Sequence, residues 1–493
     1  MKSIEKTENV VKDETKLFKR NWYIWAIIMA GLSSFFLVII FWLTNIFQNI
    51  ILSNLILQNG TRSYEFWSHP PVKLLQNFYI YNYTNVEDFE SGKANKLRVQ
   101  QLGPYSYRET LMRVNTQMHE NGTISYQEKK LYKLEGGNPE NDIIIVPNIL
   151  LLMVISSVCY LNYASRLMVT IAISTMHIEP FIKTTVSGFL WGYDDNLYNV
   201  LKTFGYVNIP SDKFGILVQS HGLLEDHLLI NTGAHDIDNL GIIQSINGKD
   251  ILNIWGDEKC DKIYGTDGTM FPPKWIQNLS TPLYIYIKEF CKQMKFNFHD
   301  YNQVQGVPSL KYKMSLDSFQ VSTQETCYCP IVNLDSNERK CPPSGTLNIS
   351  SCYDDLPVLV SMPHFYGADE SLINSVDGLK PEQELHESTI DLHQFLAIPM
   401  NGSLRLQLNV EVKKAIGVPF SDKIKDGSIL PLMWSENTLD KLPQDFVNIF
   451  SGAHLATTIV TAALKWGSLS IFLCSICAYC FARRNQHIQR SNV

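Results

Sequence analysis

The stretch Trp22–Leu43, WYIWAIIMAGLSSFFLVIIFWL, decides what kind of fold this chain can have. No charged residue occurs between Arg20 and Arg62. From Trp22 to Trp42 a helix covers roughly 30 Å, one bilayer hydrocarbon core. Trp22, Tyr23 and Trp25 at one edge and Phe41 and Trp42 at the other are placed as the interfacial aromatic belts of a spanning helix. A second apolar segment, from about Leu455 to Phe481, lies near the other end of the chain.

All six N-x-[S/T] sites, at Asn59, Asn82, Asn121, Asn278, Asn348 and Asn401, fall between the two segments, so the middle of the chain is expected outside the cell or in a lumen. The first twenty residues carry six Lys/Arg against four Asp/Glu, and the tail after Phe481 carries Arg483, Arg484 and Arg490 with no acid. Both ends therefore read as cytoplasmic. Subtracting the +2 and +3 of the two tails from the total of −6 leaves −11 between them, which argues against nucleic acid as a partner. The first segment is long for a signal-peptide core and no A-x-A-like site follows it, so it reads as an uncleaved anchor. Lys465 lies 18 residues before Arg483, roughly 27 Å of helix, which puts its ammonium at the outer interface to snorkel and narrows the span to about Trp466–Ala482. The chain thus divides into a cytoplasmic tail (1–21), a span (22–43), an ectodomain (44–454), a membrane-proximal and spanning helix (455–482) and a second tail (483–493). Cys480, within about one turn of the inner face, is a candidate for acylation.

A third uncharged run, Ile143 to Ser165, competes as a span, but it would put Asn278, Asn348 and Asn401 in the cytoplasm. Pro147, Asn148, Ser156, Ser157, Asn162 and Tyr163 also weaken it, and it reads as an exposed or partly buried helical hairpin that something must cover. Elsewhere the ectodomain reads as strands. Leu404, Leu406, Leu408, Val410 and Val412 alternate with Arg405, Gln407, Asn409, Glu411 and Lys413, a half-buried antiparallel strand after the turn pair Asn401-Gly402. Asn121-Gly122 marks a hairpin between Arg113–His119 and Thr123–Lys133. Helical character concentrates in Ile149–Met176 and Ile46–Leu57. The fold class is α+β, with one continuous ectodomain.

Cys260, Cys291, Cys327, Cys329, Cys341 and Cys352 crowd into fewer than a hundred residues, the pattern of disulfides in an oxidising compartment; six cysteines allow 15 pairings. Cys159 is left over as a buried thiol. The chain carries no G-x-S-x-G elbow and no phosphate loop, and His386-Glu387 is followed by Ile390 where a second zinc-binding histidine belongs. The group His221, Glu225, Asp226, His227 and His235 matches no ligand spacing and reads as a solvated face. Gly265-Thr266-Asp267-Gly268-Thr269 is turn chemistry. No enzyme, metal or cofactor is expected.

Four ordered segments carry a resemblance: Leu102-Gly103-Pro104-Tyr105-Ser106-Tyr107-Arg108-Glu109, Leu190-Trp191-Gly192-Tyr193, Gly265-Thr266-Asp267-Gly268 and Pro363-His364-Phe365-Tyr366-Gly367-Ala368-Asp369. Val304–Pro308 and Asp377–Pro381 leading to His386-Glu387 extend it. Over nearly its whole length the chain resembles the class B scavenger receptors, a family that includes the fatty-acid translocase glycoprotein and the lysosomal integral membrane protein that carries glucocerebrosidase. The resemblance implies a β-barrel-like ectodomain with an internal hydrophobic tunnel towards the bilayer and a helical bundle at its membrane-distal end, here about 148–183. It implies the pairs Cys260–Cys327, Cys291–Cys352 and Cys329–Cys341. It also places ligand or partner binding on the bundle, for which Leu152, Ile155, Arg166, His177 and Lys183 are the candidates. The chain departs from the family there: Ser174–Glu179 contains no lysine, so capture of acidic particles loses weight and apolar contact gains it.

The expected function is a receptor that binds lipids or lipoprotein-like particles and conducts lipid to the membrane. The alternative is a lysosomal receptor that carries a luminal hydrolase. A two-span channel is disfavoured, because Trp22–Trp42 offers only Gly31, Ser33 and Ser34 as a polar or small stripe. The nearest acidic dileucine signal, Asp13-x-x-x-Leu17-Phe18, is imperfect, while Ser491-Asn492-Val493 fits a PDZ ligand, so the plasma membrane is preferred over the lysosomal membrane.

Overall fold

The computed structural model describes residues 2–159, 161–205, 210–320, 326–333, 338–353, 356–415, 417–418, 420, 423–439 and 441–491. The PDZ motif at the C-terminus extends beyond them, and the side chains of the sorting motif at residues 13–18 are likewise outside the description. The chain forms two compact units, Met1–Leu55 with Asn448–Val493, and Ile56–Val447.

In the first unit two helices are long and apolar enough to cross a membrane, Trp22–Leu43 and Gln444–Asn485. They pack against each other. Ser34 Oγ donates to the Ser468 carbonyl (2.6 Å), Phe35 lies against Phe472, and a Cβ on Gly31 would touch that of Ser475 at 3.3 Å. Small residues at such positions let helices approach closely, and the hydroxyl satisfies itself across the pair. Trp42 Nε1 donates to the Lys465 carbonyl (3.2 Å) and its ring meets Trp466 edge-on. Lys465 therefore stands level with the outer aromatic belt, where snorkelling requires it.

The second unit is built on strands β1 (Leu74–Tyr83), β2 (Val99–Met118), β3 (Thr123–Gly137), β4 (Ile143–Pro147), β5 (Phe181–Thr185), β6 (Gly222–Asn231), β7 (Ile243–Ile246), β8 (Leu283–Ile287), β9 (Lys292–Val304), β10 (Val307–Met314), β11 (Ile331–Asn333), β12 (Glu338–Arg339), β13 (Thr346–Asn348), β14 (Val358–Ser361), β15 (Thr389–His393), β16 (Pro399–Val412) and β17 (Ser428–Leu439). One antiparallel sheet runs β7-β6-β3-β2-β1-β17-β16-β15-β10-β9-β8, with β14 and β13 added beside β16. The hairpin at Asn121-Gly122 joins β2 to β3 as its turn chemistry predicts, with Gly122 at φ +75°.

The ends of this sheet are joined by the Gly265-Thr266 segment. Thr266 bridges Ile242, next to β7, on one side and Ile285 of β8 on the other. The Ile243 amide donates to the Gly265 carbonyl (3.0 Å), and the Tyr286 amide to that of Thr266 (2.8 Å). A closed sheet leaves no edge in need of a partner. Gly265 has φ +127°, and a Cβ there would stand 2.8 Å from the Tyr284 carbonyl oxygen, so a residue read from sequence as ordinary turn chemistry is the seam of the barrel.

The uncharged run Ile143–Ser165 is not a helical hairpin throughout. Its first residues form β4, paired with β5, and the helix Ile149–Val158 follows, capped by the Asn148 side chain accepting from the Leu151 amide. Ile149, Leu150, Leu151, Leu152, Ile155 and Val158 are buried in the largest core cluster. The second helix, Tyr163–Thr175, buries only Ile173.

Candidate functional site: the inner wall and the helical bundle

Two ion pairs span the closed sheet and identify its inner face. Arg113 of β2, with 1 % of its side chain exposed, donates to Asp267 Oδ2 beside the seam (2.7 Å), with its guanidinium over the Trp67 and Tyr126 rings. Glu128 of β3 faces Lys288, beyond the end of β8 (3.6 Å). Side chains alternate along a strand and opposed residues share a side. The inner face therefore carries Leu283, Met294, Phe296, Leu310, Tyr312, Ile390, Leu392, Leu404, Leu406 and Leu408 on the β8–β16 half.

The exposures along β16 run against ordinary alternation. Leu404, Leu406 and Leu408 are only half-buried, whereas Gln407 (1 %) and Asn409 (0 %) on the opposite face are sealed. The polar face is buried because it is fully hydrogen-bonded. Gln407 Oε1 accepts from Tyr81 Oη (2.7 Å) and the His364 amide (2.6 Å), its amide donates to Asn409 Oδ1 (2.7 Å), and Asn409 Nδ2 donates to Ser361 Oγ (3.0 Å). The motif Pro363–Asp369 is the cover over this layer. Inside it His364 stacks on His386 at 4.5 Å. Burial first, then the neighbouring His386, lowers His364 to about 3. Burial, then Arg405, lowers His386 to about 4. The leucines of β16 thus form a half-buried apolar row on the inner face of the sheet, packed beside its core.

On the β17–β3 side of the same face, Phe78, Ile80 and Met433 are apolar and a polar group lies around Glu109 and Glu128. Glu109 Oε2 accepts from Gln76 Nε2 and from Tyr132 Oη (3.1 Å). Lys130 lies 3.6 Å from Glu128, and Lys288 also reaches Asp226 at 3.1 Å. Burial raises the Glu128 carboxyl, but Lys130, Lys288 and Arg113 outweigh it and hold it at about 2. Tyr107 and Tyr132 of this side meet Trp191, the aromatic of the Leu190–Tyr193 motif.

The bundle candidates separate by burial. Leu152 and Ile155 are fully buried, so the expectation of a binding face there is corrected: the helix is all-apolar because it is core. Arg166 is half-buried, its Nε donating to the Leu161 carbonyl (3.0 Å). His177 and Lys183 are exposed. The exposed apolar face is on Tyr163–Thr175 instead, formed by Tyr163 (67 %), Leu167, Met168 (73 %) and Ile171. Their i, i+4, i+5, i+8 spacing after the Asn162 cap was the signal that sequence reading passed over.

The structure pairs Cys260 with Cys327, Cys291 with Cys352 and Cys329 with Cys341, at Cα separations of 6.2, 6.3 and 4.7 Å. Cys159 is half-buried, its thiol directed to the Ser156 carbonyl (3.0 Å); Cys480 is exposed on its helix. Of the sequons, Asn59, Asn121, Asn278 and Asn401 are exposed, whereas Asn82 is half-buried with its Oδ1 accepting from the Ile145 amide (2.8 Å). Asn348, in β13, is buried, 5 % exposed. Among the described residues, the group placed to hold a metal is Asp257, Cys260 and Cys327, and its two sulfurs are joined to each other. The histidine and acid group of residues 221–235 is spread out: Asp226 is taken by Lys288, His235 lies against Gly122, and His221 against Tyr132 and Trp191.

The family model described as the CD36 family matches residues 25–483. Lysosome membrane protein 2 of Homo sapiens is 32% identical over 387 residues, covering 77% of this chain and 77% of that protein. The same protein of Mus musculus is 31% identical over 418 residues, covering 83% of each. Scavenger receptor class B member 1 of Bos taurus is 30% identical over 408 residues, covering 82% of this chain and 77% of that one.

Proposed function

This chain belongs to the CD36 family, and from that premise we propose that it takes up lipid from lipid-bearing particles, holds it inside the closed sheet and passes it to the membrane. It is a scavenger-receptor-type membrane glycoprotein. The observation that carries the transfer reading is β16, where leucines on the inner face stay accessible while glutamine and asparagine on the outer face are sealed. A core strand would invert that order. A lipid in bulk water exposes apolar surface at about 0.8 kcal/mol per methylene, so an apolar passage removes a large barrier without covalent chemistry or cofactor. We place the protein at the plasma membrane, with the lysosomal membrane as the alternative.

The test is transfer of a fluorescent lipid from donor emulsion particles to liposomes carrying the full chain. Leu406→Glu, which sets a charge on the wall, is expected to abolish transfer with the melting temperature kept. Transfer at the parent rate would overturn the reading.

A second reading rests on the exposed face of Tyr163–Thr175: docking of a protein, as for a luminal hydrolase carried to the lysosome. Met168→Asp is expected to abolish capture of such a partner and leave lipid transfer intact. Equal capture by parent and variant would remove this reading.

A further inference from the structure

The uncharged chain does not end at the outer aromatic belt of Trp42 and Trp466. On the N-terminal side no Asp, Glu, Lys or Arg occurs from Leu43 to Thr61, and on the C-terminal side none occurs from Phe446 to Leu464. Two uncharged segments therefore leave the belt on its outer side.

Both expose apolar side chains just beyond it. The first helix stops at Leu43, level with the belt, and after Thr44 and Asn45 a separate short helix follows, Ile46–Ser53. Its exposed face carries Ile46 and Ile50 (57 %), four residues apart, together with Asn49 and Ser53, while Leu52 on the opposite side is buried. On the C-terminal segment Ile459 (61 %) and Val460 are exposed. Ile459 precedes Lys465 by six residues, about 9 Å of helix, which sets it near the outer limit of the headgroup layer.

The polar side chains of the two segments turn back on their own backbone. Ser53 Oγ and Asn54 Nδ2 donate to the Ile50 carbonyl (2.8 and 2.9 Å). Thr457 Oγ1 donates to the Ala453 carbonyl (2.9 Å) and Thr461 Oγ1 to that of Ala456 (3.3 Å), so threonines take up carbonyls in and before the π-turn Ala456–Val460. Donors used in this way ask little of water, which suits a bilayer surface.

We propose that Ile46, Ile50, Ile459 and Val460 form a collar that inserts into the outer leaflet at the boundary between headgroups and acyl chains. The bilayer is the occupant because the collar is continuous with both spanning helices and begins where their aromatic belt ends. Interfacial helices that bind anionic lipid carry Lys or Arg on their polar face. Here the polar positions are Asn, Ser and Thr, so the contact is apolar, fits a zwitterionic leaflet and does not depend on salt. It holds whether or not lipid passes through the closed sheet.

The experiment uses the full chain with Cys159, Cys474, Cys477 and Cys480 replaced by serine, so that one added cysteine takes an environment-sensitive fluorophore. The label sits at Ile50→Cys or Ile459→Cys, with Gln48→Cys on the opposite face of the short helix and the exposed Asp250→Cys as references. Each chain is placed singly in a phosphatidylcholine nanodisc. Emission at both collar sites is expected to shift to the blue and to be quenched by a nitroxide near the top of the acyl chains, with no change when salt is raised. The Asp250→Cys label is expected to be quenched only by a soluble agent, and the Gln48→Cys label to escape the lipid nitroxide. Water-like emission at the collar sites, lipid quenching equal at Gln48→Cys and Ile50→Cys, or a signal that requires anionic lipid and falls with salt overturns the proposal. A blue shift seen only when two chains share a disc assigns the surface to a second copy and overturns it too.

Discussion

Replacing Arg113 by Met tests the closure of the sheet. The guanidinium has 1 % of its side chain exposed, donates to Asp267 Oδ2 at 2.7 Å, Thr269 Oγ1 at 3.2 Å and the Trp67 carbonyl, and lies over two aromatic rings. Methionine keeps the hydrocarbon stem and removes every donor. Asp267, with 14 % of its side chain exposed, then stays as an uncompensated charge beside the seam. Breaking a buried pair in this way costs about 3–5 kcal/mol. An unfolding entropy of roughly 0.8 kcal/mol/K for a unit of this size turns that into a fall in melting temperature of about 4–6 °C. The assay is thermal unfolding of the purified full chain in detergent, followed by tryptophan fluorescence. Arg113→Met/Asp267→Asn removes the orphan charge and is expected to recover at least half of the loss, since residues in contact couple. A single variant melting within about 1 °C of the parent, or a double variant no more stable than the single one, would refute the assignment of this pair as a clamp on the seam.

Further outcomes follow from the same structure. Leu152→Ala is expected to cost about 2–5 kcal/mol, because its side chain is fully buried, and to reduce delivery to the cell surface, whereas Met168→Ala on the exposed face is expected to change the melting temperature by less than about 1 °C. Gly265→Val, which drives a Cβ toward the Tyr284 carbonyl at φ +127°, is expected to abolish surface delivery, read by surface labelling of intact cells. Stepwise glycosidase shifts are expected to be lost in Asn59→Gln, Asn121→Gln, Asn278→Gln and Asn401→Gln but not in Asn348→Gln, since only the last is buried. His364 and His386 have folded values below the usual 6.5, so the unfolded chain binds more protons than the folded one in mild acid. Their contribution is whole above pH 6.5 and is lost as the pH falls towards about 4 and then about 3. A melting-temperature profile over pH 3–7 is expected to slope downward with acid and to flatten in His386→Asn.

Much of the membrane architecture and of the strand pattern could be read directly from residue order, because each depends on short-range periodicity. Trp22–Leu43 meets the length and charge rule of a span by itself, and Asn121-Gly122 specifies its own hairpin. The misreadings arose where one property has two causes. Leu152 and Ile155 are apolar whether they face a partner or the core, and only the packing of the helix Ile149–Val158 decides. β16 alternates whichever face is covered; burial of Gln407 and Asn409 depends on Tyr81 and His364, which lie 326 residues before Gln407 and 43 residues before it in the chain. The seam was invisible for a similar reason. Thr266 acts by pairing with two strands of remote sequence, and nothing in Gly-Thr-Asp-Gly-Thr distinguishes a closing residue from a surface turn. Charge signs along β2 and β3 were legible, but the inner layer they form emerges only once the sheet closes and brings Lys288 to Glu128.

The Ser34–Ser468 hydrogen bond joins helices near opposite ends of the chain. A protease that cuts the ectodomain once leaves each product with its own membrane helix, and the two products stay side by side through that hydrogen bond and the Phe35–Phe472 and Trp42–Trp466 contacts. Release of a soluble fragment therefore requires two cleavages, one after the N-terminal anchor and one before the C-terminal anchor. Nicked molecules remain in the membrane, where the disulfides within 260–352 continue to hold their own segment together.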